Sequence, residues 1–149
     1  REYKVEKRYL ALVRGKWPRS SRRVEAPIKK NIDRSGERRS LISDLGKPAI
    51  TEFRVVQRFP SSTLVEAKPI TGRTHQIRVH AAHVGNPIVG DEKYGYEVAS
   101  LACGRKGDSR LFLHSHHIGF TMANGRHFEF DSELDDSLNS LLNLYSRPA

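Results

Sequence analysis

The sequence predicts an α+β domain, a mixed, largely antiparallel sheet with flanking helices. Three observations carry that expectation. Short apolar runs bounded by turn residues fill the first 70 positions and return after position 110, which is how successive strands read. The apolar period lengthens to that of a helix in two stretches, 74–84 and after Ser132. Asn124-Gly125 stands between two strand-like runs, a dipeptide suited to a type I′ hairpin because it tolerates positive φ. Strands that follow one another closely, with two helices to cover them, describe an α+β layer arrangement.

Tyr9-Leu10-Ala11-Leu12-Val13, closed by Gly15, reads as a buried strand. Residues 19–23 form a polar, basic loop, and 24–28 a short strand that Pro27 confines to an edge. Residues 31–39 carry Asp, Ser and Gly where a turn needs them. Leu41-Ile42 and 49–59 are further strands; Pro60-Ser61-Ser62 is a turn, and 63–67 the return strand of a hairpin. Thr71-Gly72 ends that strand. Ile77, Ala81 and Val84 then recur at i, i+4 and i+7, one face of a helix. Thr71 or Thr74 is its expected cap, Gly85 its stop, and Pro87 bars continuation. Residues 86–96 are a loop, 111–121 a strand, and 127–130 its hairpin partner. Ser132 with Asp135 resembles a capping box before a helix whose apolar face is Leu134, Leu138, Leu141, Leu142 and Tyr145.

Composition narrows the function. The 149 residues hold 26 Lys and Arg against 17 Asp and Glu, a net charge of +9. The excess sits early: residues 1–59 have 17 basic and 7 acidic side chains, whereas 129–149 have 1 and 5. A basic first half suits a polyanion, because cations placed on phosphates release condensed counterions. Cys103 is the single cysteine, so an intrachain disulfide and a cysteine-based zinc cluster are excluded, and a reducing, cytoplasmic setting is expected. No apolar run approaches the roughly 18 residues of a membrane helix, so no membrane partner is expected. Neither glycine-rich phosphate-loop pattern occurs, nor His-Glu-x-x-His, nor a Gly-x-Ser-x-Gly nucleophile turn.

The densest chemistry lies in Pro69-Ile70-Thr71-Gly72-Arg73-Thr74-His75-Gln76-Ile77-Arg78-Val79-His80. Arg73 and His75 fall at a strand-to-helix turn, where exposed N–H groups and the helix dipole favour anions. The plainer reading is an ordinary polar turn. Arg78, one position from the buried face, can present a planar fork to a carboxylate or phosphate, or simply snorkel over the core edge. Tyr9, at a strand end behind Lys7-Arg8, can stack on a base or pack in the core. The histidines His75, His80, His83, His114, His116 and His117 read as structural or RNA-facing rather than as metal ligands.

These segments together resemble the RluA-type pseudouridine synthases, enzymes that isomerise uridine in RNA. The resemblance runs through Lys7-Arg8-Tyr9-Leu10-Ala11-Leu12-Val13-Arg14-Gly15, the motif around Gly72 to Arg78, Gly85-Asn86-Pro87-Ile88-Val89-Gly90-Asp91 with Lys93-Tyr94-Gly95, and Arg110-Leu111-Phe112-Leu113-His114. Residues 31–39 and Gly46-Lys47-Pro48-Ala49 are most similar to the family's RluC branch, which acts on large-subunit ribosomal RNA. The resemblance implies the C-terminal portion of a catalytic domain spanning 1–149. It assigns the active-site tyrosine to Tyr9, the arginine that pairs with the catalytic aspartate to Arg78, and the apolar residue near the target base to Leu113. Arg73 and His75 become phosphate contacts, and Arg19, Arg22 and Arg23 a phosphate grip.

The family's nucleophilic aspartate belongs to a His-Arg-Leu-Asp segment that does not occur in these residues, and no aspartate here takes its role. No metal or organic cofactor is implied. Ribosomal RNA is the expected partner, with an RNA-binding domain of the same protein as a further candidate and a monomeric state. The segment alone is expected to be inactive and only partly stable, with an exposed sheet edge. Two other readings compete. One is a non-catalytic RNA-binding module of the same fold. The other, a basic structural protein of the ribosome, is opposed by the acidic C-terminal stretch.

Overall fold

The computed structural model describes residues 4–95 and 110–147. Cys103 and Asp108 lie outside the described residues, as does Tyr96 at the end of the expected 86–96 loop. Among the described residues, eight strands and two α-helices follow in chain order. Strand β1 is Lys4–Arg14, β2 Arg23–Glu25, β3 Ile28–Ile32, β4 Arg38–Ile42, β5 Ile50–Arg58 and β6 Ser62–Pro69. Helix α1 is Gln76–Val84, β7 Leu113–Thr121, β8 His127–Asp131 and α2 Asp136–Tyr145. Six strands form one sheet in the order β2-β5-β6-β1-β7-β8, while β3 and β4 form a separate ribbon. Every ladder among these strands is antiparallel.

The sheet centre falls where the chain is most apolar. Ala11, Leu12 and Val13 of β1 are wholly buried, and β6 is buried from Ser62 through Ala67. Alternation sorts the side chains by face. Tyr9, Ala11, Phe53 and Ala67 lie on one face, as the registers Tyr9↔Ala67 and Phe53↔Ala67 require. Helix α1 covers part of this face through Ile77 and Ala81, which join Trp17, Phe53 and Phe112 in the core. On the opposite face Glu66 gathers Arg8 at 3.0 Å, Arg54 at 3.3 Å and His116 at 2.8 Å. Burial raises the Glu66 carboxyl, but hydrogen bonds from Arg8 and His116 and the charges of Arg54 and Arg8 outweigh it and hold the group below the ordinary range.

Several expectations are corrected. Strand β1 starts at Lys4, well before Tyr9, because its first half is held by β7 alone, the β6 ladder beginning only at Tyr9, and so carries exposed and half-buried rather than apolar side chains. The basic stretch 19–23 is not a plain loop: Arg19–Ser21 is a 3₁₀ turn and Arg23 opens the edge strand β2. The single strand expected over 24–28 divides between β2 and β3, since Pro27 has no N–H to carry one ladder through. Helix α1 begins at Gln76 with His75 as N-cap in the left-handed region, φ 55°. Neither Thr71 nor Thr74 caps it; Thr71 Oγ1 is committed to Ile50 and Gln76. The hairpin at Asn124-Gly125 exists, but only Gly125 has positive φ, at 87°. Gly125 N–H donates to the Met122 carbonyl, so the turn is type I closed by a left-handed glycine rather than type I′. For α2 the cap is Asp135, whose carboxylate accepts from Leu138 N–H. The Arg110 hydrogen bond, then that N–H, hold Asp135 down to about 2.

Other expectations are met. Helix α1 ends at Gly85 with φ 95°, and Leu138 and Tyr145 of α2 are buried. Leu12 has no exposed surface. Leu12→Ala is expected to destabilise the fold by about 3 kcal/mol, because truncation leaves a cavity as well as losing transfer energy. Urea denaturation followed by circular dichroism checks this; a loss well under 1 kcal/mol would mean that the core is not packed around β1.

Candidate active site

The site is built at the junction of β6 and α1, and one side chain organises it. Gln76 is buried, and its amide meets four partners. Nε2 donates to the Ile50 carbonyl at 2.8 Å and to Thr51 Oγ1 at 2.9 Å. Oε1 accepts from Thr71 Oγ1 at 2.6 Å and from Arg73 N–H at 3.0 Å. The chain from 71 to 76 is thereby tied to the start of β5. His80, one turn further on, is wholly buried: Nε2–H donates to the Ala26 carbonyl at 2.9 Å and Nδ1 accepts from Thr51 Oγ1 at 2.7 Å. Burial lowers the His80 pKa and keeps the ring neutral.

A cleft of about 520 Å³ opens above this junction, within the size range of small-ligand sites, roughly 300–1,000 Å³. Tyr9 and Lys7 of β1, Leu113 of β7, and Arg73, His75 and Arg78 from the junction all line it. Five residues singled out in the sequence therefore converge: Tyr9, Arg73, His75, Arg78 and Leu113. They come from three segments separated by more than thirty residues, and only the sheet brings them together. Arg19, Arg22 and Arg23 do not line the cleft. Arg23 pairs with Glu52 at 3.1 Å and Glu25 at 3.7 Å on the edge strand.

Arg78 is mostly buried and forms a two-point pair with Asp91: Nε to Oδ2 at 3.0 Å and Nη2 to Oδ1 at 2.9 Å. This pairing raises the Arg78 pKa against the opposing effect of burial. Its guanidinium also lies over the Tyr94 ring, 5.0 Å from the centroid. The resemblance looks for an aspartate outside this chain as the partner of Arg78; within the chain the partner is Asp91. His75 Nδ1 is 2.7 Å from the Tyr94 hydroxyl, which also accepts from Ser40 N–H at 3.1 Å. Full satisfaction of these groups has the hydroxyl donating to Nδ1, with Nε2 carrying the ring proton. Burial, then the charges of Arg78 and Lys93, lowers the His75 pKa.

Three contributors are missing from the sequence reading. Lys7 figures there only as a neighbour of Tyr9; strand alternation, two residues from Tyr9, is the signal that puts it on the cleft face. Asp91 and Tyr94 belong to a recognised motif, yet nothing local couples them to Arg78, thirteen and sixteen residues earlier. A second groove, of about 310 Å³, runs from Gly72-Arg73-Thr74 to Lys29, Lys30 and Lys47. It shares Gly72 and Arg73 with the cleft. The lysines of the β3–β4 ribbon are thus joined to the cleft, a connection invisible in sequence.

The chain is similar to known proteins in sequence and in fold. Residues 1–83 match the family model described as RNA pseudouridylate synthase. The chain is 45% identical over 139 residues to ribosomal large subunit pseudouridine synthase C of Yersinia pestis, covering 93% of this chain and 43% of that protein. It is 43% identical over 145 residues to the Escherichia coli (strain K12) protein of the same description, covering 95% and 46%. The chain thus spans less than half the length of these relatives. Among solved structures, human RNA pseudouridylate synthase domain containing 1 superposes with a TM-score of 0.71 at 29% identity, covering 91% of this chain and 58% of that one. Human RNA pseudouridylate synthase domain containing 4, at 24% identity and a TM-score of 0.68, shares the fold.

The buried histidine yields a pH prediction. The folded-state pKa of His80 lies below its ordinary value of 6.5, so near and below that pH the unfolded chain binds a proton that the folded chain refuses. Stability then rises with pH through this window. It is complete above about pH 7 and declines as pH falls, with His75 acting in the same direction. Thermal midpoints measured from pH 8 to 5.5 should be level at first and then drop. A midpoint that stays level or rises on acidification would contradict the neutral, buried assignment.

Proposed function

The chain belongs to the RNA pseudouridylate synthase family, and on that premise we propose that it forms part of an enzyme converting uridine to pseudouridine in large-subunit ribosomal RNA. The observation that carries this reading is the meeting of Tyr9, Arg78 and Leu113 in one cleft, each from a different resembling segment. A nucleophilic carboxylate, contributed from outside these residues, attacks the nucleotide. The bond from N1 to the ribose C1′ breaks as the carboxylate bonds to C1′, the uracil turns, and C5 then bonds to C1′ while the carboxylate–C1′ bond breaks and frees the carboxylate. C5 gives up its hydrogen to solvent and N1 gains one. Such chemistry needs the base out of its stack and held by a shaped pocket.

Each lining residue has a role in this reading. Arg78 keeps the attacking carboxylate ionised and aimed, since a nearby cation favours the charged form. Tyr9 stacks on the extruded base, and Leu113 supplies an apolar wall. Arg73, Lys7 and the groove lysines Lys29, Lys30 and Lys47 follow the phosphate backbone, which positions the RNA without reading its sequence. His75 assists at the same turn. Arg19, Arg22 and Arg23 lie off this path and act as outlying contacts at most.

The test is tritium release from large-subunit ribosomal RNA labelled at uridine C5. The full-length protein should release tritium and these 149 residues alone should not. Arg78→Gln in the full-length protein should lower the rate by about 10²–10³, the usual loss when one preorganised donor to a developing charge is removed. RNA binding without any release by the full-length wild type would favour the non-catalytic module. For the groove, Lys29→Ala with Lys30→Ala should make RNA binding less salt-dependent, the log–log slope falling by roughly one for each phosphate that is no longer neutralised. An unchanged salt slope would remove the ribbon from the RNA path.

A further inference from the structure

Arg78 has five N–H groups in a rigid plane, and its pairing with Asp91 occupies one edge of that plane. Nε and Nη2 are taken by Asp91, while the side chain still lines the cleft. What Arg78 offers to the cleft is therefore set by whatever fixes Asp91. That carboxylate is fully enclosed. Its Oδ1 also accepts from the N–H groups of Lys93 at 3.2 Å and Tyr94 at 3.0 Å, so its own turn orients it. Gly90 precedes it with φ +84°, and a Cβ there would come within 2.5 Å of the Arg110 carbonyl carbon. Only glycine lets the turn approach this closely.

The rest of the turn is anchored on the β3–β4 ribbon. The Lys93 ammonium bonds Glu37 Oε1 at 2.7 Å and the Arg38 carbonyl. The Tyr94 hydroxyl takes the Ser40 N–H. The guanidiniums of Arg39 and Arg78 both lie over its ring, at 5.2 and 5.0 Å. A cation over a tyrosine face is attracted by the ring quadrupole, so the ring restrains Arg78 out of plane while Asp91 restrains it in plane.

We propose that Asp91 and Tyr94 are positioning residues that clamp Arg78, so that its remaining N–H edge stays aimed into the cleft. This rests on the reading of the cleft as a uridine-isomerising site. Neither residue touches substrate; both act through the arginine. An arginine on a long, flexible stem aims poorly without such a clamp, and misplacement by about 1 Å is enough to cost on the order of 10²-fold in rate.

The experiment uses the full-length protein and measures single-turnover tritium release, RNA affinity and the thermal midpoint together. Asp91→Asn keeps the shape and the acceptor for the two backbone N–H groups but removes the charge facing Arg78. The expected result is a rate loss of about 10²-fold with RNA affinity unchanged, and a smaller loss for Tyr94→Leu. The combination of Asp91→Asn with Arg78→Gln should be no slower than Arg78→Gln alone, because a residue acting only through Arg78 has nothing left to position. If Asp91→Asn does not fold, Asp91→Glu decides, since it keeps the charge and displaces the carboxylate by one methylene. A wild-type rate in the folded variant, or fully additive losses in the double variant, would overturn the proposal. Absence of release by the wild type would instead sink the functional reading itself, so the two failures are distinguishable.

Discussion

A single buried amide holds the cleft face together. Gln76 uses both hydrogens and both lone-pair directions of its side chain on β5, Thr71 and Arg73. An amide in an apolar interior is costly unless its groups are paired, so this arrangement admits few alternatives. If the chain turned differently after Pro69, Gln76 would leave donors and acceptors unmet. The direction in which α1 leaves the sheet follows from it, and so do the places of Arg73, His75 and Arg78. His80 repeats the device one turn on, bridging Thr51 and Ala26.

The Arg78–Asp91 pair is the second constraint, and its energetics differ. Burying two charges gains little over an apolar pair, but removing one partner strands the other, typically at about 3–5 kcal/mol. Such a pair is better understood as fixing a geometry than as adding stability. Its location agrees: the arginine faces a cleft, and the carboxylate sits behind it. Ion pairs on the opposite sheet face have a different character. Glu66 is shared among Arg8, Arg54 and His116, and no residue of that cluster lines the main cleft.

Charge placement reflects the same division. Acidic residues of the described chain that approach the cleft are committed to internal partners, Asp91 to Arg78 and Glu37 to Lys93. What remains facing the groove is the cationic set Lys29, Lys30, Lys47 and Arg73. Three of the 17 basic side chains of the first half, together with Arg73, thus set a local positive field around one opening, a stronger basis for attracting a polyanion than net charge alone. On the uncovered part of the sheet face, Phe120 stacks on Phe128 and Phe130, and Val5 and Phe130 remain exposed, beside the edge strand β8.

The sequence by itself determined the strand and helix content, the core stripe of β1, the stop at Gly85, the hairpin at Gly125 and the identity of the motif residues. These depend on period, on turn chemistry and on local backbone freedom, all of which act within a few residues. Element starts were less legible. His75 caps α1 in a conformation that threonine chemistry does not suggest, because the Thr71 hydroxyl is drawn to β5 and the Thr74 carbonyl accepts from the Ser40 hydroxyl of β4. Tyr9, Arg73, His75, Arg78 and Leu113 were singled out in the sequence as candidates, but their convergence on one cleft was not legible there. Only the tertiary structure decided that Arg19, Arg22 and Arg23 sit on an edge strand and its turn, that the ribbon lysines adjoin the cleft, and that Asp91 and Tyr94 hold Arg78. The physical reason is that these depend on sheet order and loop approach, where residues distant in sequence meet, and no local period or propensity encodes that distance.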